Sequence, residues 1–533
     1  MPQSVAATAL SAPRLGLIGL VERRPQAAFA TFLALHAAVW TALPTLLYAN
    51  LPLDLIEALT YGREWPLGSD KLPPLPWWLV EIMYRVFGAD VAYYALAQVV
   101  VIIAFALVWV MARPLVGASG ALVAVLIIDG MHYFQYTAAK FNHDVIQLPF
   151  WALAGFAFHA ALKRGRIGHW LLLGVAFGGA LWSKYFVVVL AAPYALFLIF
   201  DRDARSALRT AGPWLGAAVA SVIASPHLVW LIDNNFVPFA YADARSAPAR
   251  GWFDHLWHPT FFAGGQLVNL LPSLLIAAMF LWPRATPVAK SPTDPAGLLR
   301  QGEGAYLPRA DDFDRRIVTL IAFGPAATLL TMIALSGRSA VTMWGYPLWL
   351  FLGLWIVLFA PRPLDAARLK RIVGAWGAWF AALAIAFIVN YSVLPRLDHR
   401  YRAAFFPGHK LAVDLTERFH AMTGKPLRYV IGIMWDAGNV AHYSPDQPEV
   451  LIDDLPSRSP WIDLDKMRAD GALLVWIDGD DKRPLAPATI QVRARIAALA
   501  PSTVAGEPFT LPARRGEPGS IRVNWAILMP QAP

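Results

Sequence analysis

About eleven apolar runs, each near the length that crosses a bilayer, restrict what this chain can fold into. A spanning helix needs about 20 apolar residues to cross ~30 Å of hydrocarbon. Such runs lie near 26–48, 91–112, 115–132, 145–162, 169–183, 185–200, 211–232, 260–282, 315–335, 341–360 and 372–394. Backbone groups in lipid must be satisfied inside their own element, so runs of this length are read as helices. Of the 533 residues, 57% are hydrophobic and only 15% are charged, against ~25% charged in soluble chains. The expected class is mainly α: a polytopic helical membrane domain. The 22 tryptophans suit membrane interfaces, and the 42 prolines are tolerable in helices whose neighbours satisfy the freed carbonyls.

The formal charge of +9 is read as loop charge facing a membrane, with no nucleic acid as partner. With the N-terminus in the cytoplasm, the loops on that side carry Lys163, Arg164 and Arg166, then Arg202, Arg205 and Arg209, then Arg284 to Arg316, then Arg362 to Arg371. The opposite short loops carry fewer cations, which supports this orientation. Residues 1–24 read as a cytoplasmic segment leading into an uncleaved anchor. Residues 25–395 form the membrane domain, with a first non-cytoplasmic loop at 49–90. Residues 284–314 read as a cytoplasmic connection. An odd number of spans puts residues 396–533 outside the cytoplasm. No cysteine is present, so disulfides and thiol chemistry are excluded.

The tail changes character. Runs at 428–434, 449–453, 472–478 and 522–529 have strand character, and 409–423 and 488–499 have helical spacing. A small soluble α/β domain is expected there. There is no internal repeat and no phosphate-binding glycine loop.

The most informative stretch follows the first span: LPLDLIEALTYGREWPLGSDKLPPLPWW, residues 51–78. It is too polar to span yet rich in Leu and Trp, which suits a segment lying in the interface. Asp54 and Glu57 are three residues apart and share a face on a helix. Lys71 and Pro73-Pro74 follow. Two readings stand side by side. In one, a carboxylate base and a phosphate-binding cation are carried to the membrane surface. In the other, Asp54 caps a short helix and Lys71 is a snorkelling anchor.

Asp54, Gly68, Lys71 and Pro73-Pro74 resemble the first-loop pattern of the GT-C membrane glycosyltransferases. The nearest resemblance is to the bacterial branch related to protein O-mannosyltransferases and the lipid A aminoarabinose transferase. Members show an Asp near the end of the first helix, then a Gly, then Lys-Pro-Pro or Lys-His-Pro-Pro. This chain departs twice: Leu55 follows Asp54 where relatives have Asp-Glu in tandem, and Leu72 stands where His is frequent. The resemblance covers residues 25–350. It implies a polyprenyl-phosphate-linked sugar as donor, an acceptor such as lipid A, lipopolysaccharide, another glycan or a protein, and one displacement with inversion. Asp54 is then the candidate catalytic base.

Four more loops face the same side in this topology. Residues 129–144 place His132, Lys140, Asn142, His143 and Asp144 close together, and the resemblance puts Asn142 and Asp144 near the site. Trp182-Ser183-Lys184-Tyr185 matches a Ser-Lys element of the family. Residues 226–258 include a His255-x-x-His258 pair, weak as a metal site without a third ligand. Ser336-Gly337-Arg338 ends a helix. Lys71, Lys184 and Arg338 are candidate donor-phosphate ligands, since cations count for most in a water-poor site. Glu57, Asp144 and Asn142 are candidates for positioning the acceptor or a divalent metal such as Mg or Mn. The alternative function is a transporter or lipid flippase, which would more often show paired repeats or broken helices.

Overall fold

A computed structural model describes residues 21, 23–281, 310–361, 364–398, 402–477, 503–512 and 520–531. Most of the 1–24 segment, most of the 284–314 connection and the helix expected at 488–499 lie outside the described residues.

All the expected apolar runs but the one at 341–360 form helices, and the loops add further ones. They are α1 Pro25–Leu47, α2 Leu53–Gly62, α3 Leu75–Phe87, α4 Val91–Asp129, α5 His143–Arg164, α6 Ile167–Ser183, α7 Val187–Phe200, α8 Ala211–Asp233, α9 Pro238–Arg245, α10 Asp254–Leu281, α11 Asp312–Ser336, α12 Leu352–Leu358 and α13 Ala366–Ile388. Among the described residues, seven stretches are long and apolar enough to cross a membrane, and α6 and α7 are shorter apolar helices. α4 has 39 residues and joins two helical segments at Gly117, whose φ of 71° and ψ of 171° a side chain would resist. It therefore accounts for the two spans expected at 91–112 and 115–132. The run at 341–360 is not one regular helix: a 3-10 turn at Thr342–Gly345 and further turns precede the seven-residue α12. That segment is close-packed inside the bundle, because a Cβ on Gly353 would lie 2.0 Å from the Ala124 carbonyl oxygen.

Polarity is inverted relative to a soluble domain. Leu46, Phe200, Val222, Val268 and Leu335 are each at least 70% exposed, while His36, Asp129 and Gln135 are buried between helices. His36 Nδ1 lies 3.2 Å from Asp129 Oδ1, and Trp376 Nε1 donates to Asp129 Oδ2 at 2.7 Å. Water would not tolerate the first arrangement over so much surface, and lipid would not tolerate the second on the outside. The chain is a multi-pass membrane protein. Loops expected on one side meet one another: Lys163 pairs with Asp311 at 2.6 Å, and Arg316 with Asp201 at 2.8 Å.

α6 and α8 cross at glycines. A Cβ on Gly174 would meet the Gly216 carbonyl at 2.3 Å, and one on Gly216 would meet the Trp170 carbonyl at 2.6 Å. Small residues let backbones approach in a membrane, where dispersion must replace the hydrophobic drive.

The tail carries α14 Gly408–Thr423, β1 Tyr429–Gly432, α15 Met434–Tyr443, β2 Glu449–Ile452, α16 Leu464–Asp470, β3 Ala472–Ile477, β4 Val504–Ala505, β5 Phe509–Pro512 and β6 Ser520–Leu528. The sheet runs β2-β1-β3-β6-β4, with β5 also on β6. β1 is parallel to β2 and β3, and β6 is antiparallel to β3. The strands at 429–432, 449–452, 472–477 and 520–528 fall on the expected runs.

This α/β unit sits directly on the first loop. Asn50 Nδ2 donates to Asn439 Oδ1 at 3.0 Å, and the Leu51 amide donates to the Tyr443 hydroxyl at 3.1 Å. Arg458 is presented just after two consecutive residues at positive φ, Asp453 and Asp454. Its Nε donates to Asp70 Oδ2 at 2.8 Å, its Nη2 to the Tyr61 hydroxyl at 3.3 Å, and its Nη1 to Asp453. Tyr61 in turn donates to Asp70 Oδ1 at 2.8 Å. The segment next to Lys71 is thus clamped from the tail.

Two stability outcomes follow. Gly216→Val should overpack the α6/α8 crossing, costing about 1–3 kcal/mol and lowering the thermal midpoint of the detergent-solubilised chain; an unchanged midpoint would contradict this close approach. Arg458→Ala and Asp70→Asn should be non-additive by about 0.5–3 kcal/mol in a double-mutant cycle. Strict additivity would show that the clamp carries no coupling.

Candidate active site

Pro52 is the N-cap of α2; it lacks an amide hydrogen and its fixed φ suits the approach to a helix. Asp54 falls in its first turn and makes no capping bond there, so its carboxylate is not spent on the helix terminus. Instead Asn142 Nδ2 donates to Asp54 Oδ2 at 3.1 Å, and Lys140 Nζ lies 3.6 Å from the same oxygen. One turn on, Glu57 is paired with Lys71 Nζ. Lys71 is therefore not a snorkelling anchor. Its Nζ also sits 5.2 Å from the centre of the Tyr241 ring, a cation–π contact. Burial pushes the Glu57 carboxyl above its ordinary range, and the Lys71 ammonium opposes that. For Lys71, burial works against the charge, but Glu57 and Tyr241 outweigh it and hold the ammonium above its usual range.

The loop that delivers Lys71 is held at each of its motif positions. Ser69 Oγ accepts from the Lys71 amide at 3.0 Å. Gly68 lies against Trp230: a Cβ there would come within 2.1 Å of the indole. That close approach explains the glycine. The Leu67 carbonyl accepts from His227 Nδ1 at 2.6 Å, and the Pro73 carbonyl accepts from His143 Nε2 at 3.1 Å.

Asn142 is the N-cap of α5 and accepts from the amides of Asp144 and Val145 at 3.0 and 3.1 Å. One side chain therefore starts α5 and holds Asp54. Asp144, in the first turn of α5, accepts from Lys184 Nζ at 2.5 Å and from Gln147 Nε2 at 3.2 Å. Lys184 follows the end of α6, 5.8 Å from the ring centres of both Phe186 and Trp344. Asp54, Glu57, Lys71, Asn142, Asp144 and Lys184 are thus linked through three loops at one end of the bundle. Asp54 differs from the other two carboxylates: its side chain is 38% exposed, against 9% for Glu57 and 10% for Asp144. It is the most open of the three.

Arg338 is elsewhere. It follows Gly337, the αL residue that ends α11. Its Nη2 pairs with Asp243 at 2.6 Å and its Nε donates to Ser246 at 3.1 Å. It ties α9 to α11 and touches none of the six residues above, although α9 carries the Tyr241 ring that lies on Lys71. His255 and His258 are occupied by backbone, their Nδ1 atoms each donating at 2.7 Å to the carbonyls of Ala334 and Gly337. Among the described residues no three His, Cys, Asp or Glu side chains converge as metal ligands. Glu57 and Asp144 are each taken by a lysine, so this donor set does not fit a divalent ion.

Sequence reasoning gives Lys140 and Tyr241 no role beyond their loops, yet both reach the cluster. The charge crowding of residues 129–144 is the signal that points to Lys140. Nothing in the sequence points to Arg458, 388 residues from Asp70.

A family model described as dolichyl-phosphate-mannose-protein mannosyltransferase matches residues 71–230, from Lys71 through Lys184 to Trp230. The lipopolysaccharide core galacturonosyltransferase RgtB of Rhizobium johnstonii is 24% identical over 438 residues, 80% of this chain and 82% of that protein. The lipid A galacturonosyltransferase RgtD of the same organism is 27% identical over 182 residues, 33% of this chain and 37% of that protein. Among solved structures, ArnT from Cupriavidus metallidurans bound to undecaprenyl phosphate superposes with a TM-score of 0.61 at 14% identity, over 93% of this chain and 97% of that one. The ArnT likeness shows the fold, and the family match over residues 71–230 and the galacturonosyltransferase relatives support a membrane glycosyltransferase.

Proposed function

We propose that this enzyme moves a sugar from a polyprenyl-phosphate donor to a hydroxyl of a lipid, lipopolysaccharide, glycan or protein acceptor, with inversion. The observation that carries the reading is the half-buried carboxylate of Asp54, more open than Glu57 and Asp144, whose buried acids hold Lys71 and Lys184 in the adjoining loops. A polyprenyl-phosphate sugar needs a lipid-accessible groove for its chain, positive charge for its leaving phosphate and a base for the attacking hydroxyl. The relatives act on lipopolysaccharide core and lipid A, and the similar ArnT structure holds undecaprenyl phosphate. A transporter or flippase finds no relative among these likenesses.

The chemistry is one displacement. The acceptor hydroxyl gives its proton to an Asp54 carboxylate oxygen as its own oxygen bonds to the anomeric carbon. The bond from that carbon to the phosphate oxygen breaks, and its electron pair leaves with the polyprenyl phosphate. Lys71 and Lys184 meet the charge that develops on the phosphate. They are preorganised by Glu57 and Asp144, so little reorganisation is needed during the step. Asn142 aims Asp54. Arg338 acts through α9, keeping Tyr241 on Lys71.

The reaction is assigned to the periplasmic face of a bacterial inner membrane, with the N-terminus cytoplasmic and the 396–533 domain periplasmic. The cation-rich segments at 163–166, 202–209 and 315–316 lie at the end of α5, α7 and α11 away from Asp54, which supports that orientation.

Asp54→Asn should lower transfer from a polyprenyl-phosphate sugar by at least about 10²–10⁴-fold while thermal midpoint and elution volume stay unchanged. Full activity in a folded variant would remove Asp54 as base. Lys71→Ala should raise the donor KM more than the acceptor KM. An unchanged donor KM would remove Lys71 from the phosphate.

A further inference from the structure

A cavity of about 280 Å³ lies where α2 and α3 meet the tail, and the proposed chemistry does not use it. Glu64 just after α2, Tyr84 of α3, His442 of α15 and Glu449 of β2 line it. No residue of the Asp54 cluster does. Its arginines are engaged: Arg63 Nη1 donates to the Pro448 carbonyl at 3.3 Å, and Arg85 Nε donates to Glu81 Oε1 at 2.6 Å. The Glu64 and Glu449 carboxylates, by contrast, accept no hydrogen bond and join no ion pair among the described residues, and the His442 ring has no hydrogen-bond partner there.

Two unpartnered acids on the walls of a junction are costly unless a cation joins them. Burial raises the Glu64 carboxyl to about 7; Glu449 adds to the rise, Arg63 opposes it and Glu81 adds to it again. Burial raises Glu449 as well, against Arg63 and Lys466. Burial pushes the His442 ring down to about 4, so it stays neutral near pH 7 and repels no cation. Its ring centre lies 5.8 Å from that of Tyr84, edge to face, and Gln447 Nε2 donates to the Tyr84 hydroxyl. The site therefore offers two acceptors of N–H bonds beside aromatic rings, a composition that holds an ammonium group. Ile82, Val86 and Phe87 are exposed on the opposite side of α3, as on a helix lying in the membrane interface. Lipid headgroups are thus neighbours of the cavity.

We infer that this cavity binds a primary ammonium group, whose N–H bonds reach Glu64 and Glu449 together and tie the first loop to the tail. The group belongs to a soluble aliphatic amine or to an ethanolamine phospholipid of the adjoining leaflet. The inference goes beyond the transferase reading and does not depend on it. Its link to that reading is α2, which ends beside Glu64 and carries Asp54 on its first turn.

The test uses the full chain in phosphatidylcholine nanodiscs, and two arms distinguish the sources. In the first, putrescine is titrated calorimetrically beside tetramethylammonium, which has no N–H. In the second, phosphatidylethanolamine replaces part of the phosphatidylcholine and the thermal midpoint is read. A soluble amine as occupant gives putrescine binding about tenfold tighter than that of tetramethylammonium. A lipid as occupant gives a rise in midpoint with phosphatidylethanolamine. Either signal should vanish in the double variant Glu64→Gln/Glu449→Gln, which keeps side-chain shape and elution volume. In the wild type, which needs no variant to fold, the affinity should fall about tenfold from about pH 8 to about pH 6 as Glu64 takes up its proton, and a lipid-induced rise in midpoint should shrink over the same range. Neither signal, or a signal that survives the double variant or does not change with pH, would overturn the site. None of these readouts uses sugar transfer, so their failure leaves the transferase reading standing.

Discussion

A lysine proposed to meet a phosphate at a membrane surface needs a partner that keeps it charged and a scaffold stiffer than its own loop. α2 supplies both. Glu57 on its buried face holds the Lys71 ammonium, and Tyr61, one turn later, joins Asp70 and Arg458 in the contact that fixes the residues beside Lys71. The same helix carries Asp54 on its first turn, where Asn142 meets it. Removing one member of a buried ion pair leaves the other uncompensated, at about 3–5 kcal/mol. The pairs therefore lock the loops together and leave Asp54 as the most open of the three acids. Geometry, more than any unusual side chain, sets this site apart.

The tail acquires a physical role from the same contacts. Its Arg458 clamps the first loop, and its Asn439 and Tyr443 hold the start of that loop. A membrane bundle of helices packed through small residues has little to hold an irregular polar loop in register. A folded domain resting on that loop provides the missing rigidity.

The sequence shows the fold class clearly, because apolar runs near 20 residues allow little besides helices. It also points to the candidate site: Asp54, Glu57, Lys71, Asn142, Asp144 and Lys184 all lie in the loops that carry unexpected charge. Arg338 is the candidate that the structure holds apart from that cluster. A cation after a helix-ending glycine looks like a phosphate ligand, but whether it reaches the site depends on α9, whose Asp243 takes it. The irregular 341–360 segment has the same cause. Its composition is that of a span, and only packing against Ala124 and Gln266 decides otherwise. Arg458 leaves no local signal, since it acts across 388 residues.

The absence of cysteine in this chain makes the convergence of the loops directly measurable. In the double variant Asp54→Cys/Asn142→Cys, a short bis-thiosulfonate reagent added to the purified protein should join the two thiols within one molecule, leaving no free thiol and no change in oligomeric state. Two free thiols after treatment, or linkage only between molecules, would show that α2 and the start of α5 do not meet at one membrane face, and the arrangement that places a base among paired lysines would fall with it.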